Sequence, residues 1–191
     1  NNGKIISAPN VTRISLSAAS GITLTAASVD VVIRNIAGGV VTSRGICWST
    51  TINPTIANSV LNDNGTLSSY TLTMTGLTYG TTYYVRSFIT NNLGTVYSRQ
   101  ISFTTLAVAP TITTSAINSI TATTANSGGT VTDTGGSAIT VQGVCWSTTP
   151  SPTIADNKTT DGTLSTFTSS ITGLANATTY YVRAYATNSE G

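Results

Sequence analysis

The same sequence pattern occurs twice in this chain, about one domain length apart. Gly45–Thr51 has the sequence GICWSTT, and Gly143–Thr149 has the sequence GVCWSTT. A second match, YYVR, occurs at Tyr83–Arg86 and again at Tyr180–Arg183. The period of about a hundred residues exceeds the roughly 20 to 50 residues of solenoid and propeller repeats. It therefore predicts two domains in tandem, each large enough to enclose its own core.

A short apolar segment, Leu106–Pro110, separates the two copies. It ends in a proline and lacks the Gly and Ser residues of a flexible tether. We therefore predict one domain over residues 1–106 and a second over residues 107–191.

Strand signals dominate both copies. Short segments rich in β-branched and aromatic residues alternate with clusters of Gly, Asn, Asp and Pro, and no segment has a helical period of useful length. Turn residues such as Asn53-Pro54 and Asp63–Gly65 separate the segments. The fold class is therefore predicted to be all-β, with about seven strands a copy forming a β-sandwich. In the first copy these strands are expected at Asn10–Leu16, Ile22–Asn35, Thr42–Thr50, Ser59–Leu61, Ser69–Thr75, Thr81–Asn91 and Val96–Thr105.

One segment carries a family resemblance. Leu77–Arg86, followed by Thr90–Gly94, resembles the signature of fibronectin type III domains, in which a leucine, a turn and a threonine precede a corner tyrosine. Leu174–Arg183 repeats it. The resemblance implies two tandem fibronectin type III-like, or immunoglobulin-like, sandwiches. It also implies that the hydroxyls of Tyr83 and Tyr180 bond back to the backbone near the start of their strand.

The tryptophans depart from the fibronectin pattern. Trp48 and Trp146 lie in the third predicted strand, as in immunoglobulin-like domains, whereas fibronectin type III domains usually carry theirs in the second. Gly143–Pro150, followed by Pro152–Asn157, is similar to tandem repeats of very large secreted surface proteins of Bacteroidota. This likeness implies an extracellular location at a bacterial cell surface and a spacer or adhesin role.

Six residues are expected to pack in the two cores rather than to perform chemistry. The cysteines occupy equivalent positions of separate domains, so a disulfide would have to join equivalent strands of the two domains. A ten-residue strand is about 33 Å long, whereas a disulfide requires Cα atoms within roughly 7 Å of each other. We therefore expect no disulfide. A free thiol beside a tryptophan commonly packs as a small apolar residue. These residues are Trp48, Trp146, Tyr83, Tyr180, Cys47 and Cys145.

The composition argues against several classes of function. Charged residues make up 7% of the chain and the net charge is +2, too few and too dispersed for nucleic acid binding. No apolar run has the length of a membrane span. With no histidine and no repeated pair of carboxylates, we expect no enzyme activity and no cofactor. Calcium is an alternative for turn oxygens of Asn58, Asp63, Asn64, Asp156 and Asp161, although such residues usually serve the turn itself.

The outward face of one strand in each copy is the candidate partner surface. Alternation places two short rows of aromatic and arginine side chains there, which we call the aromatic-arginine row. Aromatic residues and Arg are enriched at interfaces, whereas cross-strand pairing that merely shields the sheet is the alternative. The row consists of Tyr84, Arg86 and Phe88 in the first copy and Tyr181, Arg183 and Tyr185 in the second.

The second copy lacks a counterpart of the last strand. When Gly94 is aligned with Gly191, the first copy continues into that strand and the second does not. Without it, the strand around Tyr180–Asn188 would offer unpaired backbone groups to an arriving strand. Two accounts remain open: the sequence is a window from a longer array, or another chain donates the strand and builds a polymer.

Together these features predict a structural spacer or stalk repeat of a long extracellular surface protein or fibre, adhesin-like and without catalysis. Its partners would be neighbouring repeats or copies of the same chain. Three alternatives remain: a glycan- or protein-binding module that uses the aromatic-arginine row, a filament subunit assembled by strand donation, and an accessory domain of a secreted enzyme.

Overall fold

The computed structural model describes residues 11–191, so the expected start of the first strand at Asn10 lies outside the described residues. Within this range the chain forms fourteen strands and no helix, which confirms the all-β fold class. None of the described residues therefore belongs to an apolar helix of membrane-spanning length. The chain divides into two compact units after Leu106, at the position that the repeat predicts.

Unit 1 consists of two antiparallel sheets. One has the strand order β1-β2-β5 and the other the order β4-β3-β6-β7, with β8 also paired to β6. The strands are β1 (Arg13–Leu16), β2 (Ala27–Asn35), β3 (Val41–Ser49), β4 (Ser59–Asn62), β5 (Ser69–Met74), β6 (Thr82–Asn91), β7 (Gly94–Tyr97) and β8 (Ile101–Thr104).

The core of unit 1 lies between these sheets. In β2, the buried residues Ala27, Val29, Val31 and Ile33 alternate with residues that are more exposed, as a strand with one buried face requires. They share one hydrophobic cluster with residues of β3, β5, β6 and β8. Two sheets around one apolar cluster are consistent with a β-sandwich.

Unit 2 repeats this arrangement with fewer strands. Its two sheets have the orders β13-β10-β9 and β12-β11-β14. Its core cluster contains Val144, Trp146, Phe167 and Ile171. The strands are β9 (Thr111–Thr114), β10 (Ala125–Asp133), β11 (Val141–Ser147), β12 (Asn157–Lys158), β13 (Thr166–Ile171) and β14 (Tyr181–Thr187).

A close approach of two strands explains why the repeated motif begins with glycine. A Cβ atom at Gly45 would clash with the carbonyl oxygen of Leu61 on the neighbouring β4. A Cβ atom at Gly143 would clash in the same way with the carbonyl oxygen of Thr159. Because the repeated glycine has no side chain, the backbone at Leu61 in unit 1 and at Thr159 in unit 2 can approach the third strand of its unit.

Three predicted strands of unit 1 depart from the expectation by more than one residue, and the first of them, β1, begins only at Arg13. The strand expected at Ile22–Asn35 begins only at Ala27, because the Thr23 hydroxyl accepts the Ala26 N–H at 3.0 Å and closes a turn. The strand expected at Val96–Thr105 is divided into β7 and β8. Between them, the Ser98 hydroxyl accepts the Ser87 N–H at 3.0 Å in place of a backbone acceptor.

Candidate functional site

The aromatic-arginine row of unit 1 is not a continuous exposed surface. Phe88 was expected to be exposed at a partner surface, but it is 1% exposed, so this expectation is wrong. Tyr84 and Arg86 are partly buried. The Arg86 guanidinium lies over the Tyr97 ring, 4.5 Å from its centroid, and its Nε donates to the Ser98 carbonyl oxygen at 3.0 Å. The row therefore packs against its own unit.

The turn that the sequence places at Asn53-Pro54 belongs to a loop that is bonded to the same end of the sheet as the row. The segment between β3 and β4 contains Pro54, which is fully buried. In this loop the Ile56 N–H donates to the Tyr97 hydroxyl at 3.1 Å, and the Asn53 N–H donates to Gln100 Oε1 at 2.6 Å. These bonds tie the loop to the end of the sheet where β7 lies. Phe88 lies opposite Tyr97 of β7 and opposite Gly45 of β3.

The row of unit 2 is more open. Tyr181 is 43% exposed, and Arg183 is exposed although one of its guanidinium nitrogens donates to the Pro152 carbonyl oxygen at 3.5 Å. Tyr185 is partly buried and donates its hydroxyl to the Thr159 carbonyl oxygen at 2.6 Å. Only Tyr181 and Arg183 of the row thus remain accessible together.

The aromatic residues expected in the cores lie there to different degrees. Trp146 is buried in the core cluster of unit 2, whereas Trp48 packs partly buried against that of unit 1. Tyr83 is buried and accepts the Thr78 N–H at 3.0 Å through its hydroxyl. Tyr180 is partly buried, and its hydroxyl accepts the Ala175 N–H at 3.1 Å. The hydrogen bonds expected of the corner tyrosines are therefore present in both units.

The two cysteines are buried and unbridged, but they lie outside the main apolar clusters. Cys47 lies between Ile46 and Trp48, which both join the core, so its side chain points to the opposite face of the sheet. Burial raises the pKa of Cys47 from 9.0 to about 11, although the nearby Arg86 charge acts in the opposite direction. Burial also raises the pKa of Cys145. Both thiols therefore remain protonated at neutral pH, unlike an activated nucleophile.

A buried ion pair in unit 1 escaped the sequence patterns. Arg44 is only 7% exposed and forms an ion pair with Asp63, with Nε donating to the carboxylate at 2.8 Å. Its guanidinium also donates to the Leu67 carbonyl oxygen at 2.9 Å and lies 4.7 Å from the centroid of the Tyr70 ring. An open cleft of about 540 Å³ borders the pair. Burial, above all, raises the pKa of Tyr70 to about 12.

Unit 2 keeps the carboxylate of this pair but has a neutral residue in place of the cation. Gln142 stands where the arginine stands in unit 1, and its amide nitrogen donates to the Leu164 carbonyl oxygen at 2.7 Å. The carboxylate of Asp161 accepts the hydroxyls of Thr159 at 2.6 Å and Ser169 at 2.5 Å. The two units therefore share this position in the fold but not its chemistry.

Four of the five residues considered for calcium, Asn58, Asp63, Asp156 and Asp161, accept hydrogen bonds from groups of the protein. The Asp156 carboxylate accepts the Thr153 N–H at 2.8 Å, and the Asn58 side-chain oxygen accepts the Thr55 N–H at 2.9 Å. Within residues 11–191, no three His, Cys, Asp or Glu side chains lie close enough together to hold a metal ion.

The edge of β14 away from β11 differs most from its counterpart in unit 1. In unit 1 the corresponding edge of β6 pairs with β7 and β8, whereas no described strand pairs with β14 on this side. Val85 is fully buried and its counterpart Val182 is partly exposed. We call this side of β14 the open edge.

Comparison with protein-family models and with curated proteins finds no match to this chain.

Proposed function

We propose that this chain is a structural spacer or stalk repeat of a long extracellular surface protein or fibre, without catalytic activity. The observation that carries the proposal is that the two units repeat their packing residues but not the buried cation of unit 1. Cys47-Trp48 and Cys145-Trp146 lie at equivalent places in the fold. In the same strands, Gln142 replaces Arg44. A scaffold needs only the packing residues, whereas a repeated binding or catalytic site would need the polar ones as well.

The fibronectin type III-like character of the units is part of this proposal. Its support is the tyrosine corner, which both units form with a hydrogen bond to the backbone five residues upstream. The bacterial cell-surface location rests on the resemblance to tandem repeats of secreted proteins. The scarcity of charged residues, 7% of the chain, agrees with it.

The proposal is tested on the natural protein with antibodies against the 191-residue chain. On a denaturing gel we expect a polypeptide several times longer, which protease treatment of intact cells removes. An antigen that is protected in intact cells would contradict the surface location. A catalytic domain in the same polypeptide would favour the accessory-domain alternative.

A second candidate function, glycan or protein binding, is favoured by one observation. Tyr181 and Arg183 are both exposed on β14 and lie two residues apart, so their side chains share one face. Binding to a glycan array that is lost in Tyr181→Ala and kept in Tyr84→Ala would support this function. Equal binding by both variants would contradict it.

A further inference from the structure

Three groups surround the guanidinium of Arg44 in unit 1. The Asp63 carboxylate accepts its Nε–H at 2.8 Å, and the Leu67 carbonyl oxygen accepts another of its N–H groups at 2.9 Å. The Tyr70 ring lies with its centroid 4.7 Å from the central carbon of the guanidinium. A carboxylate, a carbonyl oxygen and an aromatic ring are the groups that guanidinium ions typically contact in proteins.

Unit 2 has a counterpart of each of these three groups. The carboxylates correspond because the backbone N–H of each donates to the equivalent residue of the third strand, Arg44 at 2.9 Å in unit 1 and Gln142 at 2.8 Å in unit 2. The aromatic rings correspond because each residue lies opposite the equivalent residue of the second strand, Val31 in unit 1 and Gly129 in unit 2. The counterparts are Asp161 for Asp63, Leu164 for Leu67 and Phe167 for Tyr70.

The cation is the member of this arrangement that unit 2 does not repeat. Gln142 bonds the Leu164 carbonyl oxygen at 2.7 Å, as the arginine of unit 1 bonds its own carbonyl partner, but its amide carries no charge. The partly buried Asp161 carboxylate accepts the hydroxyls of Thr159 and Ser169. Among residues 11–191, no lysine or arginine lies within ion-pair distance of it. Hydroxyl groups satisfy hydrogen bonds of a carboxylate but do not balance its charge.

A second acceptor in the same place also lacks a partner. Gln142 is 0% exposed, and its Oε1 is buried without a hydrogen-bond donor among the described residues. The orientation of the amide is fixed, because its nitrogen donates to the Leu164 carbonyl oxygen, which accepts only a donor. A buried acceptor without a donor destabilises the folded state. A group with N–H donors and a positive charge would therefore be favoured here.

An open cleft borders both of these acceptors. Its volume is about 330 Å³, and its walls include Gln142, Asp161, Leu164 and Phe167. Asp161 is the only charged residue of its lining. No residue of β14 lines it, so the cleft is separate from the open edge. Unit 1 has a cleft at the same place, beside its ion pair, so this is a feature of both units.

We infer that the cleft of unit 2 is a binding site for a guanidinium group, which takes the place that the Arg44 side chain occupies in unit 1. Its N–H groups donate to the Asp161 carboxylate, its plane lies against the Phe167 ring, and its charge lies beside the unpaired oxygen of Gln142. The group belongs to an arginine side chain of a polypeptide or to a free guanidinium compound. This inference goes beyond the spacer function, which requires no ligand.

The site is tested by NMR titration of the complete 191-residue chain with methylguanidinium. We expect saturable shifts of the backbone amides of residues 161–164 and of β13, and of the Gln142 side-chain amide. The affinity should be in the millimolar range, because one charged contact at a partly open site is weak. Urea has the same planar shape without the charge, so it should bind at least about tenfold more weakly. Equal shifts with both ligands, or none with either, would overturn the inference.

Three further ligands define the chemistry of the site. Methylammonium has the same charge without the planar donors and should bind more weakly than methylguanidinium. Calcium that binds more tightly than methylguanidinium would show a metal site and overturn the inference. The blocked tripeptide Gly-Arg-Gly distinguishes the two sources of the guanidinium. Binding at least as tight as that of methylguanidinium indicates an arginine side chain, and weaker binding indicates a free compound.

Two matched variants locate the site. Asp161→Asn removes the charge of the cleft and should weaken methylguanidinium binding at least about tenfold. Asp156→Asn is the control, because it removes the same charge from an exposed position of unit 2 outside the cleft. Circular dichroism checks that both variants fold. An equal effect of the two substitutions on binding would contradict the assignment.

A third variant supplies the guanidinium from the chain itself. Gln142→Arg reproduces the arrangement of unit 1, so the new side chain should pair with Asp161 and added methylguanidinium should no longer bind. If this variant folds and still binds methylguanidinium as the original chain does, the ligand occupies another place and the inference is wrong. If the variant does not fold, the comparison of Asp161→Asn with Asp156→Asn decides.

Discussion

The rings of Tyr83 and Phe103 stack at a centroid separation of 5.9 Å and an interplanar angle of 25°, joining β6 to β8 inside unit 1. The Tyr83 hydroxyl also holds the backbone of Thr78, so the tyrosine is fixed at both ends. Thr105, which follows β8, donates its hydroxyl to the Thr78 carbonyl oxygen at 2.6 Å. The last strand therefore completes the core and also fixes the tyrosine corner.

Phe103→Ala should lower the free energy of unfolding of unit 1 by about 3 to 5 kcal/mol, because it removes a buried ring and leaves a cavity. Hydrogen exchange of the amides in β2 and β6 measures this loss, with Ser102→Ala as the control at an exposed position of the same strand. Unit 2 should keep its exchange rates. Similar rates in both variants would contradict the role of Phe103 in the core.

Arg44→Gln should destabilise unit 1 by about 3 kcal/mol, because it leaves the Asp63 carboxylate without its cation in a largely buried place. Unit 2 tolerates glutamine at this position because Thr159 and Ser169 donate hydroxyls to its carboxylate. Urea unfolding of Arg44→Gln, Asp63→Asn and the double variant measures the coupling. A coupling energy above about 1 kcal/mol is expected, and additive effects would contradict the pair.

Tyr83→Phe should cost about 1 kcal/mol in unit 1, because it leaves the Thr78 N–H without its acceptor. Tyr180→Phe should cost less in unit 2, because Ala175 and the bond it makes are exposed to water. Thermal unfolding of the two variants gives the comparison. A larger loss in the Tyr180 variant would contradict the difference in burial on which this prediction depends.

The stability of unit 1 should fall as the pH rises from 9 to 11. The folded state raises the pKa of Cys47 from 9.0 to about 11, so between these values the unfolded chain releases a proton that the folded chain retains. The contribution is complete below pH 9 and is lost as the pH approaches 11. The loss should be on the order of 2 kcal/mol. Urea unfolding at several pH values checks it, and Cys47→Ala should flatten the slope.

The two thiols should resist alkylation in the folded chain at pH 8, because burial keeps both protonated and inaccessible. Mass spectrometry after iodoacetamide treatment should show no adduct on native protein and two adducts in urea. Rapid modification of either cysteine in the native chain would show that its strand opens to solvent.

Local sequence patterns were sufficient for most strands. The ends of β3, β4, β5 and β6 lie within one residue of the predicted positions, because each combines alternation with turn residues on both sides. The failures were local as well. The segment Ile22–Ala26 has strand-like residues, but the Thr23 hydroxyl binds the backbone and closes a turn. Ser98 interrupts the last predicted strand in a comparable way.

Sequence patterns were less informative about the candidate sites. Phe88 is on the outward face by alternation, yet it is buried, and a loop some thirty residues before it binds the hydroxyl of Tyr97, which lies opposite Phe88 on β7. Arg44 and Asp63 are nineteen positions apart, and only the pairing of β3 with β4 brings them together. The sequence did contain a signal for Arg44. This arginine directly precedes the apolar strand residues that continue to Trp48, and a charged residue at the edge of a core usually has a charged partner.

The sequence by itself determined the two-domain organisation, the all-β class, the corner tyrosines and the glycine-cysteine-tryptophan motif, because each depends on residues close together in the chain. The tertiary structure decided which outward residues are accessible and which charges pair. These properties depend on contacts between segments distant in sequence. Alternation defines the two faces of a strand, but it does not say what covers each face.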